Sequence, residues 1–399
     1  MHKRLLFLVL FMMLLLPQGL YAGQPAISGK GAVLIDANSG QVLVDYNKDE
    51  KLPPASTTKI LTAIIAIESG KLEDMVVVGP NPPKVDGTKV YLEEGESIKL
   101  KELVAAAMIH STNDAALAIA EYLAGSQEEF AKVMNAKAKE LGATNSNFVT
   151  PHGLSEDNHY TTAYDLACIS RYAMQNELFR QFAASKILDW QGKAWQTRLI
   201  NINKMLWNYD GSDGVKTGYT TEAKSTIVAS AERNGQRYIA VVLGSSGSAI
   251  WEDASRLLDY GFNNFQQLKL AEAGEIVATI KINKDSKLEL VPTRELFLSI
   301  PADGSKEIDS YVHLNQIQGK ILKGQAMGIQ YFTIDGKEAG SVELQAANAV
   351  NPGFSFTNIF LYGGAGLFFV QIIWRSTKVF RRKKRRTARL FSENHYRGY

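Results

Sequence analysis

Three short motifs in this chain carry side chains suited to nucleophilic catalysis. They are Ser56-Thr57-Thr58-Lys59, Ser111-Thr112-Asn113 and Lys216-Thr217-Gly218. The first combines a hydroxyl with an amine, the second a hydroxyl with an amide, and the third an amine with a hydroxyl and a glycine. Each is short enough to arise by chance, as a second Ser-x-Asn at residues 392–394 shows. A catalytic interpretation therefore depends on their occurring together.

The spacing of Ser56 and Lys59 is the strongest chemical signal. Residues three apart lie on one face of a helix, so the Lys59 amine can reach the Ser56 hydroxyl if this segment is helical. A serine becomes a good nucleophile when a base takes its proton, and a lysine is such a base when burial or a nearby positive charge lowers its pKa. Lys216 is a candidate for that charge. The N-terminus of a helix at Ser56 would add amide N–H groups facing the reacting oxygen.

Each motif also has an ordinary structural explanation. Ser56 follows Pro53-Pro54 and would suit the N-cap of a helix. Residues 111–113 fit a polar break between two helices, and residues 216–218 fit a solvated loop after Asp213-Gly214. The three motifs nevertheless follow one another in this order, each at a predicted element boundary, which favours a single composite site.

The surrounding elements predict one α/β domain. Strand-like runs lie near both of its ends, at 31–36, 41–45, 226–229 and 238–243. Asn38-Ser39-Gly40 and Asn234-Gly235 join them in pairs as hairpin turns. Helical patterns occur from Ser56 to Ser69-Gly70, at 103–123, over most of 115–210, and at 249–262. Strands at both ends with helices between them indicate that the first and last parts share a sheet.

A second, smaller domain follows from about residue 266. Its runs are short and alternating, at 276–282, 288–291, 296–300 and 328–334, with a turn at Asp335-Gly336. The pattern predicts an all-β domain over residues 266–350. No catalytic constellation is visible in it, so we interpret it as a spacer or docking module.

Both ends of the chain read as membrane-related segments. Residues 1–22 have a basic start, an apolar run and a small-residue site ending at Ala22, the order of a secretory signal peptide. Residues 354–374 are predicted to form a transmembrane helix, because 356–374 is uncharged and a basic tail follows at 375–399. We therefore expect a single-pass protein of the cell membrane with its catalytic domain outside the cytoplasm. A buried N-terminal helix and a nucleic-acid-binding tail are the weaker alternatives.

Composition excludes several other classes. The 399 residues carry a net charge of +3, but the signal peptide and tail hold the excess, so the part between them is about −8. We expect no nucleic acid as partner. A single cysteine, Cys168, excludes an internal disulfide and a thiolate zinc site. His110, His152 and His159 match no compact ligand spacing, so we predict no metal and no cofactor and interpret these histidines as structural.

The motifs and their flanks resemble the penicillin-recognising serine enzymes, in particular the low-molecular-mass D-Ala-D-Ala carboxypeptidases. The segments that carry the resemblance are Pro54-Ala55-Ser56-Thr57-Thr58-Lys59, His152-Gly153-Leu154 and Asp213-Gly214-Val215-Lys216-Thr217-Gly218-Tyr219-Thr220. It covers residues 24–350. It implies a transpeptidase-like α/β domain over 24–263, with an antiparallel sheet flanked by helices and a helical subregion. It also implies the all-β domain and a C-terminal anchor.

The resemblance further implies an activity and a role for each motif residue. Peptidoglycan stem peptides ending in D-Ala-D-Ala would be the substrate, and β-lactam antibiotics would be inhibitors. Ser56 would be the acylated nucleophile, Lys59 its general base, and Ser111 the group that passes a proton to the leaving D-alanine. Substrate would be held by Asn113, Lys216, Thr217, Gly218 and the backbone of Tyr219, whose N–H would form the oxyanion hole with that of Ser56.

The sequence departs from the pattern of this family at two positions, and three other functions compete with a carboxypeptidase. Tyr219 stands where some relatives carry histidine, and Gly244-Ser245-Ser246-Gly247 lacks an arginine that some relatives use for carboxylate binding. A β-lactamase of class A would need a Glu four residues before an Asn, but Glu156 is followed at that distance by Tyr160. A non-catalytic sensor of wall peptides or penicillin is disfavoured by the short tail. Transpeptidase or endopeptidase activity of the same serine stays open.

Overall fold

The computed structural model describes residues 24–282, 286–302, 307–316 and 319–351. These residues form two compact units. The first comprises 24–268 with 298–302, and the second comprises 269–297 with the described part of 307–351. The three motifs all lie in the first unit.

A five-stranded antiparallel sheet is the centre of the first unit. Its order is β2-β1-β9-β8-β7, with β1 at Gly31–Asp36, β2 at Val42–Tyr46, β7 at Ser212–Thr220, β8 at Lys224–Arg233 and β9 at Gln236–Ser245. β1 pairs with β9, so the first and last strands lie side by side as the sequence predicts. The motif at 216–218 therefore lies in the edge strand β7 and not in a solvated loop.

Alternation along β1 explains why helices cover both faces of the sheet. Val33 and Ile35 belong to one buried cluster, and Ala32 and Leu34 belong to another. The second cluster receives the predicted closing helix, α8 (Ala249–Asn264), whose buried residues include Leu257. All six residues of β1 are buried, as expected for a strand covered on both faces.

The helical subregion covers the other face. Its helices are α1 (Lys59–Glu68), α2 (Leu100–Ile109), α3 (Asn113–Ala124), α4 (Gln127–Glu140), α5 (Ala163–Ala173) and α6 (Glu177–Ala184). The short α7 (Met205–Asn208) lies instead with α8, because Met205 belongs to the cluster that contains Leu257. α1 is buried along almost its whole length, which makes it the central helix. Two small antiparallel sheets complete the subregion, one of β3 (Met75–Val77) with β4 (Ser97–Lys99) and one, a hairpin, of β5 (Ile187–Gln191) with β6 (Gln196–Ile200).

The hairpin of β5 and β6 corrects the prediction that residues 115–210 are mainly helical. Its strands alternate between exposed and buried positions, with Trp190 and Leu199 pointing into the core. Five-residue strands with so few apolar positions carry a weak periodic signal, and the turn between them holds a single glycine, Gly192.

The second unit contains a five-stranded antiparallel sheet of order β11-β12-β16-β15-β14. Its strands are β11 (Ala278–Lys281), β12 (Lys287–Pro292), β14 (Ile308–Leu314), β15 (Ala326–Ile334) and β16 (Lys337–Ala346). The predicted run at 296–300 forms β13 (Leu296–Pro301), which pairs instead with β10 (Phe265–Ala271) in a separate two-stranded sheet. The all-β character predicted for this region is therefore correct, although one strand belongs to another sheet.

The predicted segments at 1–22, 354–374 and 375–399 lie outside the described residues. Within the part of the chain that is described, none of the helices has the length and apolarity needed to cross a membrane.

Candidate active site

Ser56 lies in a single 3-10 turn, Ala55–Thr58, that leads directly into α1. Its side chain makes no capping hydrogen bond to the turn or to α1, so the N-cap explanation of this serine is wrong. Ala55 has φ +48°, in the left-handed region that residues other than glycine rarely adopt. Such a conformation persists only where the surroundings enforce it, and it is common at functional sites.

Lys59, the first residue of α1, is fully buried beneath this turn. Its Nζ lies 3.0 Å from Ser56 Oγ, 2.7 Å from Asn113 Oδ1 and 2.8 Å from the carbonyl oxygen of His152. Three acceptors around one amine satisfy all three N–H donors of a charged lysine. The helical spacing proposed from the sequence therefore does bring the amine onto the serine hydroxyl.

Burial lowers the pKa of Lys59 well below its ordinary value, and the positive charge of Lys216 lowers that pKa further. The buried carboxylate of Asp114 acts in the opposite direction. A lysine whose neutral form is favoured in this way can accept a proton, which an exposed lysine at neutral pH cannot do.

The second motif lies where α2 ends and α3 begins. Ser111 is buried and has φ +67°, and Asn113 is the first residue of α3. Asn113 Nδ2 donates to the carbonyl of Asp86 at 2.7 Å, while its Oδ1 accepts from Lys59. Asn113 of the second motif is thus hydrogen-bonded directly to Lys59 of the first. Among the described residues the Ser111 hydroxyl has no hydrogen-bond partner.

The third motif approaches from the edge strand β7. Gly218 lies so close to the serine turn that a Cβ on it would be 2.6 Å from the backbone nitrogen of Ser56 and 2.6 Å from Thr226 Oγ1. Thr226 in turn donates to the carbonyl of Pro54 at 3.0 Å. A glycine at this position lets the two backbones run side by side. The Tyr219 side chain is 66 % exposed.

Lys216 is buried, with 1 % of its surface exposed, and its Nζ donates to the carbonyl of Thr217 at 3.1 Å. Burial lowers its pKa to about 7. The charge of this amine acts on Lys59, so the two lysines lie within electrostatic reach of each other. The structure thus brings all three motifs to one place, between the serine turn, the start of α3 and the end of β7.

The loop at His152-Gly153-Leu154 contributes a backbone group that sequence reasoning did not assign. The His152 carbonyl accepts from Lys59, and Gly153 has φ +86° and packs against the serine turn. A Cβ on Gly153 would lie 1.9 Å from the carbonyl oxygen of Ala55, so a side chain cannot fit there. The glycine was a usable signal, but only a fold could show what it approaches.

The histidines singled out in the sequence have separate partners. His110 Nδ1 contacts the carbonyl of Ile200, while burial lowers the pKa of His152 to about 3 and that of His159 to about 4. Within the described ranges no three His, Cys, Asp or Glu side chains are grouped as ligands for a metal ion.

Comparison with known proteins places this chain in a family. Residues 19–247 match the family model described as D-alanyl-D-alanine carboxypeptidase, and residues 265–352 match the C-terminal domain of penicillin-binding protein 5. The chain belongs to the D-alanyl-D-alanine carboxypeptidase family, as the resemblance of its motifs predicts. It is a penicillin-binding-protein-like α/β serine peptidase domain followed by a β-rich C-terminal domain.

Individual relatives align with this chain over most of its length. The chain is 35 % identical to D-alanyl-D-alanine carboxypeptidase DacF of Bacillus subtilis over 327 residues, covering 78 % of this chain and 83 % of DacF. It is 32 % identical to DacC of Escherichia coli over 370 residues, covering 88 % and 92 % of the two chains. A crystal structure of penicillin-binding protein 5 from Haemophilus influenzae matches with a TM-score of 0.74 at 30 % identity, covering 82 % of this chain and 98 % of that one.

Proposed function

We propose that this chain is a serine D-Ala-D-Ala carboxypeptidase that removes the terminal D-alanine from peptidoglycan stem peptides through an acyl-enzyme at Ser56. The observation that carries the proposal is the convergence of Ser56 Oγ with the buried Lys59 amine, 3.0 Å away, beside the strand that carries Lys216. Membership of the carboxypeptidase family supports the same activity.

Acylation begins at the Ser56 hydroxyl. Neutral Lys59 takes the proton from Ser56 Oγ, and the oxygen attacks the carbonyl carbon of the penultimate D-alanine. The tetrahedral oxyanion accepts hydrogen bonds from the backbone N–H groups of Ser56 and Tyr219. The C–N bond then breaks, and Ser111 relays the proton held by Lys59 to the departing amine of D-alanine, which returns Lys59 to its neutral form. Water hydrolyses the resulting ester, which returns the hydroxyl to Ser56 and releases the shortened peptide.

Substrate recognition falls to the strand and to Asn113. Lys216 and Thr217 offer an amine and a hydroxyl to the terminal carboxylate, a pairing in which a charge-assisted hydrogen bond is strong. Lys216 uses one N–H on the Thr217 carbonyl, which leaves two for the ligand. Asn113 Nδ2 has one N–H beyond that given to Asp86, and it holds the amide of the substrate.

The same site accounts for inhibition by β-lactam antibiotics. A penicillin presents a strained amide to the nucleophile and a carboxylate to the cation on β7, as the peptide does. Ser56 opens the lactam ring and stays acylated while hydrolysis is slow.

Two apolar segments support a proposal for the cellular location of the protein. We assign residues 1–22 as a signal peptide and 354–374 as a membrane anchor, with the catalytic domain outside the cytoplasm and the tail 375–399 inside. The support is the sequence pattern: an apolar segment at each end and a run of basic residues directly after the second. Fractionation of the full chain, compared with a chain ending at residue 351, tests the anchor. Recovery of both proteins in the soluble fraction would contradict it.

The activity is tested with a diacetylated peptide ending in Lys-D-Ala-D-Ala. Wild-type protein is expected to release free D-alanine, and Ser56→Ala is expected to release none above the uncatalysed rate. In parallel, the fate of bound penicillin distinguishes the alternatives. Rapid penicillin turnover would favour a β-lactamase, and penicillin binding without D-alanine release would favour a non-catalytic sensor. Transfer of the peptide to an added amine in preference to water would favour a transpeptidase.

A further inference from the structure

His159 and Thr58 form a buried chain of hydrogen bonds that ends on the peptide group before the nucleophile. His159 Nε2 lies 3.0 Å from Thr58 Oγ1, and Thr58 Oγ1 donates to the carbonyl oxygen of Ala55 at 2.8 Å. Both side chains are buried, with 5 % of His159 and none of Thr58 exposed. The catalytic steps described above use neither of them.

The hydrogen bonds fix the protonation of His159. Its Nδ1 accepts from the backbone nitrogens of Val149 at 2.9 Å and Thr150 at 3.2 Å, so Nδ1 carries no proton. Nε2 must therefore carry the proton of the neutral ring and donate it to Thr58 Oγ1. The Thr58 hydroxyl then has its own proton free for the Ala55 carbonyl, and every member of the chain is satisfied.

Because the peptide group is planar, the hydrogen bond to the Ala55 carbonyl also sets the direction of the Ser56 N–H. None of the peptide bonds in the described residues is cis, so the carbonyl oxygen of Ala55 and the N–H of Ser56 point in opposite directions. Holding the oxygen toward Thr58 therefore aims the Ser56 N–H the other way. That side is occupied by β7, since a Cβ on Gly218 would lie 2.6 Å from the Ser56 nitrogen.

The backbone at Ala55 needs such an anchor. Its φ of +48° costs roughly 1–2 kcal/mol for a residue with a Cβ. Gly153 packs beside the same carbonyl and the Thr58 hydroxyl, because a Cβ on it would lie 1.9 Å from the Ala55 oxygen and 2.8 Å from Thr58 Oγ1. The strained peptide is thus held by a hydrogen-bond donor and by close packing, and the donor is aligned by His159.

We propose that His159 is a positioning residue that, through Thr58 and the Ala55 carbonyl, aims the Ser56 N–H into the oxyanion hole. The inference rests on the proposed function, since it requires that Ser56 is acylated. It assigns a task to a histidine that the sequence alone marks only as structural.

Thr58→Val tests this chain of hydrogen bonds, because it removes the hydroxyl with little change in side-chain shape. Thr58→Ser is the matched variant that keeps the hydroxyl. The readout is the second-order rate of acylation by a fluorescent penicillin, expressed per titrated active site, together with kcat and KM for D-alanine release. We expect Thr58→Val and His159→Asn each to slow acylation roughly 10- to 100-fold, since misplacement of a reacting group by about 1 Å costs up to about 100-fold. In both variants kcat for D-alanine release should fall with little change in KM. Thr58→Ser should be acylated at nearly the wild-type rate.

A matched control separates positioning from simple loss of stability. Ser170 Oγ is also buried and donates to a carbonyl, that of Leu166, within α5. Ser170→Ala should lower the melting temperature without changing the acylation rate per active site. The double variant Thr58→Val with His159→Asn should be no slower than the slower single variant, because both act through one chain.

Two results would overturn the inference. One is wild-type acylation per active site in Thr58→Val and His159→Asn, whatever their melting temperatures. The other is fully additive losses in the double variant. If instead the wild type fails to bind penicillin and to release D-alanine, the proposed function itself fails, so the two failures are distinguishable.

Discussion

Replacing Lys216 with methionine should change how the stability of the protein depends on pH. Lys216 has 1 % of its surface exposed, and burial lowers its pKa to about 7 from the ordinary 10.5. Between these two values the folded state holds Lys216 neutral while the unfolded state is protonated. Folded stability therefore rises with pH through this window, by about 1.4 kcal/mol per pH unit for one such group. Below about pH 7 the group is charged in both states and adds no slope.

The expected size follows from the same numbers. Integrated from pH 7 to pH 9, Lys216 adds about 2 kcal/mol to the free energy of unfolding of the wild type. This gain should be missing from Lys216→Met. The variant should be the more stable protein near pH 7, because a buried amine that must be charged or desolvated is replaced by an apolar chain of similar length. It should also lose D-alanine release, since the carboxylate loses its cation.

Urea unfolding of both proteins from pH 6.5 to pH 9 measures this difference. The exposed Lys139 of α4 offers the control, since Lys139→Met removes an equal formal charge at the surface. The difference in unfolding free energy between wild type and Lys216→Met should change steadily with pH, while the control should run parallel to the wild type. A difference that stays constant from pH 7 to pH 9 would show that Lys216 is not held neutral by burial, and the reasoning about this amine would be wrong.

Two further substitutions probe the frame around the serine. Gly218→Ala should reduce D-alanine release about 100-fold, because the new Cβ would lie 2.6 Å from the Ser56 nitrogen and displace an oxyanion-hole donor. A near-normal rate would show that β7 can move away from the serine turn without loss of activity. Asp114→Asn should cost about 2 kcal/mol in urea unfolding, since its carboxylate accepts from the amides of Val90 and Leu92. Because Asp114 raises the pKa of Lys59, the same change should move the acid limb of the pH–rate profile to lower pH, and a shift to higher pH would contradict that electrostatic role.

The sequence was informative wherever local pattern and tertiary structure agree. Strand-like runs on either side of the turn at Asn234-Gly235 predicted the hairpin of β8 and β9, and apolar spacing predicted α1 and α8. The link between Ser56 and Lys59 could also be predicted, since a helical turn alone brings residues three apart together. These features depend on neighbours within a few residues.

Features that depend on distant backbones were beyond the sequence. Ser212–Thr220 contains two glycines and polar side chains, so its sequence fits a loop equally well. It is a strand because it pairs with β8 along its length, from Ser212 to Thr220. The His152 carbonyl that accepts from Lys59 carries no sequence signal, since any residue has a carbonyl. The same holds for the Ala55 peptide, because its partner Thr58 is local but the histidine that aligns Thr58 lies 101 residues further along the chain.

The acylated residue itself is the most direct test of this account. Intact-protein mass spectrometry after brief exposure to penicillin, followed by peptide mapping, measures how many adducts form and where. The account predicts one adduct per chain, located on Ser56, and none on the Ser56→Ala variant. An adduct on another residue, or an unmodified wild-type chain that still releases D-alanine, would contradict the assignment of Ser56 as the nucleophile.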